Sequence, residues 1–250
     1  SNFRLEFIKS LKERKNFFNL LNKLKYKKIC EVGVWDGFNL KNINFNIESI
    51  KYGNEKNKID LTNELGVQAT VRSLRNVAGM WLLSECQRDW AAQGLNLKVE
   101  ELVAAAQKVA TNSFLINPND HLFLAAGNMV GRIAEYCIAN NAPVPSTPAE
   151  YARCIFDSLA TAYDQVISDF EEVEGHSFDV IYVVGGGSAN DFLNQLTADV
   201  TRKKVITGAV EATLLGNIGM QAIAAGEVSG LAQLREMIAA SITQKIFLPS

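Results

Sequence analysis

The stretch that decides the fold is Val180-Ile181-Tyr182-Val183-Val184-Gly185-Gly186-Gly187-Ser188-Ala189-Asn190-Asp191-Phe192-Leu193-Asn194-Gln195-Leu196-Thr197-Ala198. Its first five residues are apolar, which reads as a buried strand. Three glycines end that strand. A helix then opens with Ser188 or Asn190 at its start and runs from Asn190 to Ala198. A second short strand follows at 204–207. Glycine lets a backbone come close to a ligand, and a helix N-terminus offers free N–H groups to an anion. Strand, glycine turn and helix together form a seat for a nucleotide. The same spacing also describes a plain strand-to-helix turn, and spacing by itself does not choose.

The chain of 250 residues is one large domain or two small ones. Apolar residues make up 48%, enough to bury a core, and the 21% charged content is ordinary for a soluble protein. No apolar run reaches the ~20 residues of a membrane helix. The lysine-rich N-terminus lacks the apolar segment and cleavage site of a secretory leader. A soluble, cytoplasmic protein with no membrane partner is the expectation. None of the four cysteines, Cys30, Cys86, Cys137 and Cys154, forms a C-x-x-C pair, and the two histidines, His121 and His176, lie far apart. Neither a metal site nor a histidine-based triad is expected.

Charge and composition change near residue 60. Residues 1–60 carry 13 Lys and Arg against 7 Asp and Glu, and residues 61–250 carry 12 against 20. Lysines such as Lys9, Lys12 and Lys15 read as the solvated face of a helix. No aromatic–basic alternation marks a nucleic-acid platform, so no nucleic-acid partner is expected. Residues 1–60 contain no Ala, Pro, Thr or Gln, whereas Ala is abundant afterwards. A domain boundary at 60/61 follows, with a fusion or chimera among its possible origins.

The first segment has its own pattern. Lys28-Ile29-Cys30-Glu31-Val32-Gly33 reads as a strand entering the turn Val34-Trp35-Asp36-Gly37. Phe38 to Ile43 begins a helix, and Ile47 to Tyr52 reads as a strand ahead of Gly53-Asn54-Glu55. This Rossmann-like strand–helix–strand piece resembles the start of class I S-adenosylmethionine-dependent methyltransferases. The resemblance implies S-adenosylmethionine binding by Glu31, Gly33, Gly37 and Glu55, with Glu55 on the ribose. It covers about 35 residues, and no later motif of that family follows.

From Leu61 to Ile242 the chain resembles the C-terminal domain of the FGGY carbohydrate kinases, in particular their rhamnulokinase group. The residues that carry this are Asn63-Glu64-Leu65-Gly66, Arg72-Ser73-Leu74-Arg75-Asn76-Val77-Ala78-Gly79-Met80-Trp81-Leu82-Leu83 and Ile116-Asn117-Pro118-Asn119-Asp120. Further along come Ala152-Arg153-Cys154-Ile155-Phe156-Asp157-Ser158-Leu159-Ala160, the glycine turn, and Val205-Ile206-Thr207-Gly208-Ala209-Val210-Glu211-Ala212-Thr213. The expected fold is α/β and helix-rich, an actin-like or ribonuclease H-like kinase domain lacking its first strands.

The resemblance implies a nucleotide and a sugar as ligands, with ATP and Mg2+ as cofactors. It places Gly185, Gly186 and Gly187 against ATP, with Asn190 helping on the nucleotide side. Asn76 is assigned to the sugar, on a helix expected to begin near Val71. Ser84 falls where such kinases carry a nucleotide-contacting glutamine, and Gln87, one turn on, is its nearest replacement. Asn117 to Asp120 reads as a turn, and Gly208, Gly216 and Gly219 as packing glycines. Cys137 and Cys154 match two positions that are both cysteine in related kinases, and free thiols are expected there in a reducing cytosol. The family's general-base aspartate lies in a segment with no counterpart in this chain. Asp157, Asp164 and Asp191 read as helix-surface or cap residues, so no catalytic residue is assigned and no kinase turnover is expected of the chain alone.

Overall fold

The structure, a computed structural model, describes residues 62–65 and 71–250. The strands expected at 28–33 and 48–53 lie outside the described residues, as do Glu31, Gly33, Gly37 and Glu55. The chain divides into two compact units, one ending at Leu74 and the other spanning Arg75–Ser250.

The described part of the first unit is an antiparallel hairpin of β1 (Thr62–Leu65) and β2 (Val71–Leu74). Its register runs from Thr62 opposite Leu74 to Leu65 opposite Val71. A helix beginning near Val71 is therefore not present. Cross-strand pairing claims 71–74, and helical apolar spacing begins only at Trp81, with Leu82, Leu83, Cys86 and Trp90 on its inner face.

The second unit is helix-rich. Helices α1 (Trp81–Ala92), α2 (Val99–Ala106), α3 (Met129–Ala139) and α4 (Pro148–Glu174) precede a small sheet. The sheet orders its strands β3 (Val180–Val183), β4 (Lys204–Thr207) and β5 (Ile246–Phe247). Helix α5 (Asp191–Thr201) connects β3 to its parallel neighbour β4. Helices α6 (Ala212–Ala224) and α7 (Leu231–Ser241) follow, and β5 returns antiparallel to β4. The expected strands at 180–184 and 204–207 and the helix between them are thus in place. Two residues of β5 are too few to show a period in the sequence.

Helix α4 organises the core. Thr147 and Glu150 form a reciprocal capping box, Pro148 fills the first turn, and Gly175 closes the helix. All ten residues from Tyr151 to Ala160 are buried. Around them pack Leu82, Leu83 and Cys86 of α1, Leu102 of α2, Ile133 of α3 and Leu193 of α5. Phe156 meets Phe192 edge-on, with ring centroids 5.5 Å apart.

This burial corrects the surface reading of Asp157, which is only 2% exposed. Its carboxylate accepts from Arg153 Nε at 2.9 Å and from the Asn112 N–H at 2.7 Å. The guanidinium also donates to Val109 O at 3.0 Å and Thr111 Oγ1 at 2.6 Å. A buried pair with its remaining donors satisfied is tolerated where an isolated charge is not.

Cys86, Cys137 and Cys154 are buried free thiols. Burial pushes the Cys86 thiol strongly up and the Cys154 thiol up to about 12, which keeps both protonated. Among the described residues no helix is long and apolar enough to cross a membrane.

Candidate functional site

The carboxyl ends of β3 and β4 point the same way, and in open α/β sheets ligands settle at such ends. Two hydrogen bonds continue the pairing beyond the strands. Gly208 N–H donates to Val183 O at 2.8 Å, and Gly185 N–H donates to Ala209 O at 2.9 Å. The loops that follow the two strands are thereby drawn side by side. Gly208 is required for this approach, because a Cβ there would stand 2.7 Å from Val184 Cγ1. Gly219 likewise admits Leu234 of α7 against α6, whereas Gly216 faces open space and its packing role is not seen.

Gly185 turns the chain at φ 79°, ψ −167°, a conformation that is nearly exclusive to glycine. A single 3-10 turn, Gly186–Ala189, follows. It is closed by Ser188 N–H on Gly185 O at 3.0 Å, Ser188 Oγ on the same oxygen at 2.7 Å, and Asn190 N–H on Gly187 O at 3.2 Å. The N–H groups of Gly186 and Gly187 find no acceptor among the described residues. Gly186 is exposed, and nothing stands within 4 Å of where a Cβ on Gly185 or Gly186 would be. The turn is open above its backbone, and its free amides suit an anionic group.

Asn190 is the N-cap of α5, its Oδ1 accepting from Leu193 N–H at 3.1 Å. Its Nδ2 lies 4.0 Å from Met80 Sδ. Asn190 therefore fixes where the helix starts and presents its amide nitrogen toward the loop ahead of α1. One turn along α5 stands Asn194, 2% exposed, whose Nδ2 donates to Ser188 O at 3.2 Å and Gly187 O at 3.4 Å. Sequence reasoning passed over Asn194. The available signal was a polar residue on the apolar face of an amphipathic helix.

Asn76 lies on the 75–80 loop, not on a helix. Three contacts anchor this loop. Arg75 pairs with Asp169 of α4, Ala78 N–H donates to Asn119 Oδ1 at 2.7 Å, and Met80 meets Asn190. Asn117 to Asp120 forms the expected turn, closed by Asn119 N–H on Asn117 Oδ1 at 3.1 Å. Within this frame Asn76 is exposed, and its side chain makes no hydrogen bond among the described residues. Met80 thus joins the Asn76 loop to the start of α5, just after the glycine turn.

Ser84 and Gln87 of α1 border a shallow cavity of about 410 Å³, shared with Arg88, Asn96 and Lys98. Ser84 Oγ donates to Met80 O at 3.1 Å, and Gln87 Nε2 donates to Leu97 O at 2.8 Å. The nitrogen of Gln87 is therefore committed to the chain, leaving only its oxygen for a ligand. Asp191, in the first turn of α5, pairs with Lys245 at 2.7 Å, in keeping with a cap-region role. Burial holds the half-buried Asp164 carboxyl above its usual value. No group of three or more His, Cys, Asp or Glu gathers among the described residues in a way that could hold a metal.

Comparison with known proteins bears on the family and the fold. The FGGY family of carbohydrate kinases, C-terminal domain, matches residues 46–225, a span that takes in the composition change at residue 60. A rhamnulokinase of Bacteroides thetaiotaomicron is 38% identical over 195 residues, 78% of this chain and 39% of that protein. One of Pectobacterium carotovorum is 44% identical over 179 residues, 72% of this chain and 35% of that protein. The chain thus spans well under half the length of these relatives. Among solved structures, a xylulose kinase from Lactobacillus acidophilus superposes with a TM-score of 0.52 at 14% identity, covering 77% of this chain and 38% of that one. A gluconate kinase from the same organism gives 0.52 at 15%, covering 76% and 38%. At such identities these structures speak for the fold.

Proposed function

The chain belongs to the FGGY family of carbohydrate kinases, as a form of its C-terminal domain, and we propose that it is the nucleotide-binding part of a rhamnulokinase-type enzyme. The observation that carries the reading is the open glycine turn at the carboxyl ends of β3 and β4, with two unpartnered amides and no atom over Gly185 or Gly186. A nucleotide fits this floor. Gly185, Gly186 and Gly187 would lie against it, and Asn190 would orient it from the start of α5. Asn76, exposed on the loop joined to the start of α5, is our candidate for the sugar. Mg2+ enters this proposal with the phosphates of ATP, since the described residues offer no metal cluster. Bound Mg·ATP would supply the transferable phosphoryl group. The chain's own contribution is to seat and orient it, which is the larger part of catalysis in this reaction class.

Three of the described carboxylates are already engaged in ion pairs. Asp157 holds Arg153, Asp169 holds Arg75, and Asp191 holds Lys245. We propose that the general base for the sugar hydroxyl is none of these, and that the chain by itself binds nucleotide without turning over rhamnulose. The matched span includes Glu55, the acid that the methyltransferase resemblance assigns to the ribose, and this disfavours an S-adenosylmethionine site. We also propose residues 61–250 as the nucleotide-binding unit, residues 1–60 as a segment of different composition whose fused or chimeric origin is a separate question, and the cytoplasm as the compartment.

Thermal-shift titration tests the proposal, because a ligand that binds only the folded state raises stability. Mg·ATP is expected to raise the melting temperature of the full chain. S-adenosylmethionine is expected to leave it unchanged. The Gly186→Trp variant should fold yet lose the Mg·ATP shift. Absence of a shift in the wild-type chain would overturn the nucleotide reading, and phosphate transfer to rhamnulose by the purified chain would overturn the inactivity.

A further inference from the structure

The glycine turn needs something to hold its shape, and glycines themselves supply no side chain to do so. Beside the turn lies a groove of about 400 Å³, lined by Tyr163 of α4, by Val183 and Gly187, and by Leu193, Asn194 and Thr197 of α5, among others. A Cβ on Gly187 would meet only Val183 Cγ1, at 3.9 Å. Packing therefore backs the turn weakly on that side. The polar link from α5 is the Asn194 carboxamide, which reaches two consecutive carbonyls, Gly187 O and Ser188 O. Fixing those oxygens fixes the peptide planes 187–188 and 188–189. These planes adjoin the 186–187 peptide that carries the Gly187 N–H, so they limit how far the open backbone can turn.

We infer that Asn194 is a positioning residue for the nucleotide seat, acting through the glycine turn and touching no ligand itself. The inference rests on the nucleotide reading of that turn. Thr197, three residues and nearly one turn further along the same buried face, provides the contrast. Its hydroxyl donates at 2.7 Å to Leu193 O, within its own helix, and reaches no part of the turn. Loss of Thr197 Oγ1 should loosen α5 without disturbing residues 185–189.

The test compares Asn194→Ala and Asn194→Leu with Thr197→Val in the full chain. Asn194→Leu keeps a side chain of similar volume and removes both N–H donors without adding a buried charge, so it decides the matter if the alanine variant fails to fold. Mg·ADP affinity is measured by calorimetry, and exchange of the Gly186 to Ala189 amides by hydrogen–deuterium exchange. Removing a buried donor from two carbonyls should weaken Mg·ADP binding about tenfold and speed exchange in the turn. Thr197→Val should change neither, whatever it does to the melting temperature. If the wild-type chain binds Mg·ADP and the Asn194 variants bind it as tightly, or if Thr197→Val weakens binding equally, the positioning role is refuted while the nucleotide reading stands. If the wild-type chain binds no nucleotide, that reading fails and the inference falls with it.

Discussion

Replacing Gly185 by alanine separates the two things the glycine turn does. The residue sits at φ 79°, ψ −167°, where a Cβ collides with its own backbone, and a non-glycine residue held there costs about 1–3 kcal/mol. Open space around the position gives no offsetting contact, since nothing lies within 4 Å of the added methyl. For a domain of this size that loss lowers the melting temperature by roughly 2–12 °C. Gly186 is the internal control. It has no positive φ and equally open surroundings, so Gly186→Ala should stay within about 0.5 kcal/mol of wild type. Binding should behave in the opposite way. Mg·ATP at a hundred times its dissociation constant adds about 2.7 kcal/mol to a chain that binds it. Gly186→Ala should lose much of that increment, because its methyl occupies space the nucleotide would fill. Urea denaturation with and without Mg·ATP measures both quantities. The reasoning is refuted if Gly185→Ala is as stable as wild type, or if Gly186→Ala is destabilised as much as Gly185→Ala.

Two further outcomes follow from the core and from the cap of α4. Asp157→Ala strands the Arg153 guanidinium inside the protein and should cost about 3–5 kcal/mol, whereas the double change Arg153→Met with Asp157→Leu should recover most of it. Denaturation of the wild type and the two variants measures the difference, and a double variant as weak as Asp157→Ala would contradict the account. Hydrogen bonds from Ser146, first from its hydroxyl and then from its N–H, with Thr147 adding to them, hold the Glu150 carboxyl below its reference value of 4.5. A carboxylate lowered on folding contributes stability that is present above the unfolded value and lost as pH falls through the lower folded value. The melting temperature of the wild-type chain should therefore drop on acidification below pH 4.5, and Glu150→Gln should show a shallower drop over the same range. Identical acid profiles for the two proteins would count against the capping role.

Some of this protein was decided by residues close together in the chain. An apolar run, three glycines and a capping asparagine suffice to specify β3, its turn and α5, because strand period, glycine torsion and helix capping act within a few positions. The turn at Asn117 to Asp120 is local for the same reason. Other features depend on partners far away in sequence. Val71 to Leu74 became a strand because Thr62 to Leu65 pairs with it, a choice that outweighs local helical preference. Asp157 looked like a surface carboxylate until α2 and the Asn112 loop folded over Arg153. Asn194 gained its meaning only when two carbonyls of the turn came within reach of its amide. Local torsions and periodicity are written along the chain. Burial and the pairing of polar groups are set by which surfaces meet, and only the assembled fold decides that.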